Sequence, residues 1–202
     1  MKFLIISGTP KKEGICHSFV ETATKTITTL GIEAEVIRLA DEKLVSCKMC
    51  GDGWGTCSKE YRCAFGADDG FSALQDKVKE AAAFIYITPV YWGDISEGMK
   101  IFIDKLRRVE ATKSWNKQST ETSSLKGKPS IIVANAGGGG GGVLSALAIL
   151  ERAVSHMGGD SWPRETSGIF DMITVNRCNQ TYKLKTLEAA ITAMHKALQD
   201  AE

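Results

Sequence analysis

Three short apolar runs, Lys2–Gly8 (KFLIISG), Ala82–Ile87 (AAFIYI) and Ser130–Ala134 (SIIVA), each give way to a loop and then to a stretch with helical periodicity. A strand apolar at nearly every position is buried on both faces. A parallel sheet covered by helices on each side supplies that environment. After the first run, Phe19, Val20, Ala23, Ile27 and Leu30 share one face of a helix over Cys16–Leu30, with Gly31 as its stop. Glu33–Ala40 reads as the second strand and Asp69–Ala82 as a helix with Phe71, Leu74 and Val78 inward. Asp94–Arg108 is the next helix, where Asp94 and Glu97 have capping-box spacing. Val143–Met157 is another, and the last, Tyr182–Gln199, puts Leu184, Leu187, Ala190, Ile191, Met194 and Leu198 on one face. A fifth strand is expected within Asp160–Ile169, where Pro163 requires a sheet edge. The expectation is one α/β domain over residues 1–202, a doubly wound five-stranded parallel sheet of order 2-1-3-4-5 in three layers. Two irregular segments interrupt it, a Cys-rich insertion at about 45–68 and a polar arm or lid at about 109–128.

A chain of 202 residues, 43% of them hydrophobic, can bury a substantial core. Its formal charge of +1 and lack of a basic stripe argue against nucleic acid as a partner. No apolar run reaches membrane-spanning length, and Met1–Gly8 is too short and too soon broken for a signal peptide, so a cytoplasmic location is expected.

Chemistry is expected where the strands end. After the first strand, Thr9–Ile15 (TPKKEGI) leads into a helix N-terminus, whose free N–H groups suit a phosphate. Ser7, Thr9 and Ser18 offer hydroxyls, Gly14 permits close backbone approach, and Lys11 or Lys12 supplies charge, although any βα turn can look like this. Neither a Walker loop nor Gly-x-Gly-x-x-Gly is present. After the third strand comes Thr88-Pro89-Val90-Tyr91-Trp92-Gly93, where Pro89, lacking an N–H, is expected to finish the strand. Tyr91 and Trp92 then either offer π surface to a flat ligand at the sheet edge or fold back on the core. After the fourth strand, Asn135-Ala136 and six glycines, Gly137 to Gly142, expose bare main chain, either for close approach to another group or as a flexible loop. A phosphate cradle, an aromatic corner and a bare-backbone loop are the parts a flavin mononucleotide needs.

These segments resemble the flavodoxin-like NADPH-dependent FMN reductases, with the iron-sulfur flavoproteins as a variant. Gly8-Thr9-Pro10-Lys11-Lys12-Glu13-Gly14-Ile15-Cys16 follows the outline of the family's first flavin loop. Pro89-Val90-Tyr91-Trp92-Gly93, running on through Asp94-Ile95-Ser96-Glu97-Gly98-Met99-Lys100, follows its second. The likeness spans Met1 to about Gly142. Ile15 and Cys16 depart from it, standing where the family has an asparagine and a hydroxyl residue that hold the phosphate. The resemblance implies a flavodoxin-like fold and FMN bound by Ser7, Thr9, Pro10, Lys11, Gly14, Ile15, Cys16, Ser18, Pro89, Val90, Tyr91, Trp92, Gly93, Ala136, Gly137, Gly138 and Gly139. It further implies NAD(P)H as electron donor, a homodimer or homotetramer, and no side chain acting as obligatory acid or base. Quinones, nitroaromatics, metal ions and proteins all qualify as acceptors.

Cys47, Cys50, Cys57 and Cys63 crowd the insertion at C-x2-C-x6-C-x5-C spacing. Four thiolates in a turn-rich segment can hold zinc or an iron-sulfur cluster, or they can be free structural thiols. Iron-sulfur flavoproteins carry four cysteines here with a second gap of two residues, where this chain has six. Cys16, at a helix N-terminus, is the cysteine whose thiol could be acidified. Trp115, His156 and Trp162 either contact flavin or substrate or pack in core or interface. The sequence thus points to an FMN-dependent oxidoreductase. Its rivals are an electron carrier using flavin and a four-cysteine centre, and a binding module that kept the fold without the cofactor.

Overall fold

The computed structural model describes residues 1–116, 119–161 and 172–201. Its elements run β1 (Lys2–Ser7), α1 (Ile15–Thr29), β2 (Glu33–Arg38), α2 (Thr56–Lys59), α3 (Phe71–Glu80), β3 (Ala83–Tyr91), β4 (Asp94–Ile95), α4 (Glu97–Trp115), β5 (Pro129–Asn135), α5 (Val143–His156), β6 (Asp160–Ser161), β7 (Met172–Val175) and α6 (Gln180–Asp200). The sheet order is β2-β1-β3-β5-β6, parallel throughout that path. This is the 2-1-3-4-5 order of a flavodoxin-like α/β fold, with β4 added as a short antiparallel partner of β3.

Alternation along each strand divides the core. Leu4, Ile6, Phe84, Tyr86 and Ile132 face one side, where α3, α4 and α5 supply Phe71, Leu74, Phe102, Leu106, Leu147 and Leu150. Phe3, Ile5, Ile85, Ile87, Ile131 and Val133 face the other, against Phe19, Ala23 and Ile27 of α1 and Leu187, Ile191 and Met194 of α6. Each such side chain contributes on the order of 1.5–3 kcal/mol of burial, so the two faces hold the strand ends in fixed register.

Three elements differ from the sequence expectation. Strand β3 does not stop at Pro89 but continues to Tyr91, because the proline sits where no donor is required. The Ile87 carbonyl accepts from Gly8 N (2.8 Å), the last rung to β1. Groups two residues apart point to the same side, so the missing N–H of Pro89 faces the side on which β1 has already ended. Helix α4 starts at Glu97, with Ser96 as its N-cap accepting from Met99 N (3.4 Å), while Asp94 belongs to β4. The edge beyond β5 is shared by Asp160–Ser161 and Met172–Val175, so most of it lies past the expected range. Pro163 and Trp162 lie outside the described residues.

Helix α4 also runs on through Val109–Trp115, the first part of the segment expected as an arm. Its polar residues are buried in pairs. The carboxylate of Glu110, wholly buried, accepts from Lys113 Nζ (3.0 Å), Ser124 N (2.6 Å) and Ser123 Oγ (3.3 Å). Thr112 Oγ1 donates to the Cys57 carbonyl at 3.1 Å. No helix among the described residues is long and apolar enough to cross a membrane.

Candidate functional site

The loop after β1 is stitched to its neighbours by main chain. Gly8 bonds across to β3, and a Cβ on Gly8 would stand 2.5 Å from Ser96 Oγ, so the loop lies tight against the start of α4. Thr9 Oγ1 accepts from Lys11 N (3.3 Å), and Arg38 Nη2 donates to the Lys11 carbonyl (2.9 Å). Gly14, at φ 95°, caps α1 without a side-chain hydrogen bond, and no acidic residue occupies the first turn. The N–H groups opening α1 therefore keep their partial positive charge for an outside acceptor. Ser18 does not join them, because its hydroxyl turns back to the Gly14 carbonyl at 3.3 Å.

At the end of β3, Val90 pairs with Ile95 and Tyr91 with Asp94, leaving Trp92 and Gly93 as a two-residue hairpin turn. Both have positive φ, 52° and 79°, as a type I′ turn demands. Trp92 is thrust fully into solvent, while the Tyr91 ring is half-exposed.

The glycine run after β5 does two jobs. A Cβ on Gly142 would stand 2.5 Å from Gly93 Cα, and Ser145 Oγ donates to the Gly93 carbonyl (2.6 Å), so this end locks onto the hairpin. Around Gly137, Gly138 and Gly139 an added Cβ would meet nothing within 4 Å. Bare backbone there faces open space.

Thr9, Lys11, Gly14, Ile15 and Cys16 from the first loop, Pro89, Val90 and Tyr91 from β3, and Gly137 after β5 line one cleft of about 360 Å³. Glu13 and Asn135 complete its wall. Sequence reasoning did not select either as a site residue. Asn135 directly follows the buried run of β5, and that position was its only signal. Ser7, Pro10, Ser18, Trp92, Gly93, Ala136, Gly138 and Gly139 are not on this wall. Ser7 is fully buried with its Oγ unpartnered, and Ala136 is buried with its N–H donated to the Val175 carbonyl (3.0 Å).

Cys16 is not the acidified thiol its position suggested. Burial pushes its pKa up to about 11, against a hydrogen bond with the Asn135 side chain that lowers it. It is a neutral thiol at neutral pH, which adds no negative charge where an anion would sit.

Trp115 packs edge-on against Trp54 (6.1 Å between centroids) and His156 (4.7 Å), and neither Trp115 nor His156 lines the cleft. The four insertion cysteines line one small hollow of about 20 Å³ together with Lys48, Lys105 and Arg108. The segment is pinned to α4. Lys105 is ion-paired with buried Asp69, which accepts from Val45 N (3.1 Å), and Arg108 donates to the Gly53 carbonyl and lies over the Trp54 ring. A hollow of that size admits about one water molecule. Among the described residues no three Cys, His, Asp or Glu side chains are grouped closely enough to hold a metal ion as placed.

The family model for NADPH-dependent FMN reductases matches residues 1–163. An iron-sulfur flavoprotein of Methanocaldococcus jannaschii is 36% identical over 107 residues, 53% of this chain and 52% of that protein. The chain thus spans about half the length of the curated relatives it matches. Among solved structures, RosB with a bound riboflavin-5'-phosphate intermediate superposes with a TM-score of 0.70 at 15% identity, covering 99% of this chain and 81% of that one. An NADH:FMN oxidoreductase in its apo form gives 0.64 at 15% identity, covering 97% and 89%.

Proposed function

This chain belongs to the NADPH-dependent FMN reductase family, and from that premise we propose that it binds FMN in the cleft at the ends of β1, β3 and β5 and acts as an NAD(P)H-dependent oxidoreductase. One observation carries the reading: three separately encoded strand ends wall a single cleft of about 360 Å³, within the size range of cofactor sites. The open N-terminus of α1, with Thr9, Lys11, Gly14, Ile15 and Cys16, holds the phosphate mainly through main-chain N–H groups, since Ile15 and Cys16 bring no hydroxyl. Pro89, Val90 and Tyr91 line one side of the ring system, and Gly137 to Gly139 approach another part through backbone, the Ala136 N–H being already donated to Val175. Ser7 and Gly93 act from behind this wall, Gly93 by fixing the hairpin to Gly142, Ser18 is turned back onto the Gly14 carbonyl, and Pro10 and Trp92 stand exposed beside it.

Bound FMN supplies the hydride and electron chemistry. The chain's own contribution is to position the ring, shield one face and direct N–H dipoles at developing negative charge, which requires no acid or base side chain. The acceptor is a small molecule or a protein. A homodimer or homotetramer places the fully exposed Trp92 at a subunit boundary. The electron-carrier alternative places a metal centre at Cys47, Cys50, Cys57 and Cys63, the four thiols that line one hollow beside α4.

The test is FMN loading followed by anaerobic addition of NADH or NADPH. Bleaching of the flavin band and its return with an acceptor support the reading. FMN that binds but stays oxidised with both nucleotides contradicts it.

A further inference from the structure

The wall of the cleft contains a buried acceptor with nothing to accept. Asn135 ends β5, and strand alternation puts its side chain on the face of Ile131 and Val133, where Cys16 of α1 also packs. Cys16, buried there, hydrogen-bonds the Asn135 side chain. That bond lowers the Cys16 pKa, so the amide N–H is the donor to sulfur and Oδ1 is the atom left over. Oδ1 is buried and has no hydrogen-bond partner among the described residues. An unpaired buried carbonyl oxygen is costly, and beside a cleft a ligand's donor relieves that cost. A modest turn about χ2, a soft torsion in asparagine, presents the oxygen to the cleft.

The position of Asn135 selects the donor. It stands opposite Pro89 in the ladder between β3 and β5 and beside the first turn of α1. The open helix N-terminus lies on one side of it, and Val90 and Tyr91 lie on the other. We propose that Asn135 selects flavins by their ribityl chain, its Oδ1 accepting a hydrogen bond from one ribityl hydroxyl while its amide N–H stays on Cys16. The inference rests on FMN occupying this cleft, with phosphate at α1 and ring at Val90 and Tyr91, because the ribityl chain then joins the two past Asn135. A phosphate dianion has no proton to donate to Oδ1, whereas each ribityl hydroxyl does.

The test is fluorescence titration of wild-type protein and Asn135→Leu, a replacement of similar shape without polar atoms. The ligands are FMN, riboflavin, lumiflavin, which lacks the ribityl chain, and the 2′-, 3′- and 4′-deoxy analogues of FMN. Asn135→Leu should weaken FMN and riboflavin alike by about threefold to tenfold and leave lumiflavin unchanged. One deoxy analogue should lose the same factor on wild type and nothing further on Asn135→Leu, a cycle that separates the hydrogen bond from packing. An equal loss for lumiflavin, or wild-type protein indifferent to all three deoxygenations, would overturn the assignment. The melting transition of the variant apoprotein checks its fold, and if it does not fold the deoxy series on wild type decides alone. Wild-type protein that binds no flavin contradicts the reading of the cleft itself, a result distinct from FMN binding that ignores Asn135.

Discussion

Trp92 and Gly142 show how single residues set the geometry of the cleft. Trp92 holds φ 52° with no packing to compensate, since its side chain is wholly exposed. Asn tolerates that conformation better, so Trp92→Asn should raise stability by ~0.5–1 kcal/mol, read as a higher denaturant midpoint. Unchanged or lower stability would mean that the indole is held by a partner subunit. Gly142 is the opposite case. Its φ of 82° and its contact with Gly93 leave no space for Cβ, so Gly142→Ala should cost ~1–3 kcal/mol and weaken FMN binding by displacing the hairpin. Gly137→Ala, facing open space, should leave stability nearly unchanged. Deep in the chain, burial alone would raise the Asp69 pKa, but Lys105 and the N–H groups of Val45 and Phe71 outweigh it and hold the carboxyl below its usual range. Because the folded value lies under the unfolded one, this stabilisation is complete above about pH 4 and is lost as pH falls through the folded value. Lys105→Ala strands the buried carboxylate and should cost about 3–5 kcal/mol near neutral pH, shrinking on acidification. A loss that does not change with pH would argue that packing, not charge, dominates there.

At the scale of elements, helix α1 carries the phosphate argument. Its N-terminus has neither a side-chain cap nor an acidic residue in the first turn, so FMN should bind more tightly than riboflavin. Lys11→Gln should weaken FMN about twofold to fivefold, ~0.3–1 kcal/mol, and leave riboflavin unaffected, as measured by fluorescence titration. Equal effects on both ligands would move the Lys11 contribution away from the phosphate. The strands and helices of the core were legible in the sequence because burial on both faces leaves uninterrupted runs such as SIIVA. Helix α4 was read too short because Glu110 and Lys113 pair with each other inside the fold and Thr112 bonds main-chain carbonyls there, polar positions that a hydrophobicity pattern registers as solvent. Pro89 was misread as a terminus because whether a missing N–H matters depends on where the neighbouring strand ends, and that is tertiary information. The rim residues Glu13 and Asn135 lie within the two quoted loop segments, but nothing in their residue type marked them as wall, and only the folded chain brings them to the cleft.

For the whole molecule, the sheet order determines the site. With β1, β3 and β5 side by side and parallel, the loops after all three strands open at the same edge, and the single cleft is the result. The insertion pinned to α4 contributes a separate thiol hollow rather than a wall of this cleft. Ligation of FMN to the native state alone must raise thermal stability by mass action, by about 2.7 kcal/mol at a hundredfold excess over Kd. The most direct measurement is a titration of the apoprotein with FMN followed by flavin fluorescence, with riboflavin and inorganic phosphate in parallel. The account predicts saturable binding of one FMN per chain, weaker binding of riboflavin, and competition by phosphate. FMN fluorescence that stays unperturbed by excess protein, or riboflavin bound as tightly as FMN, would contradict it.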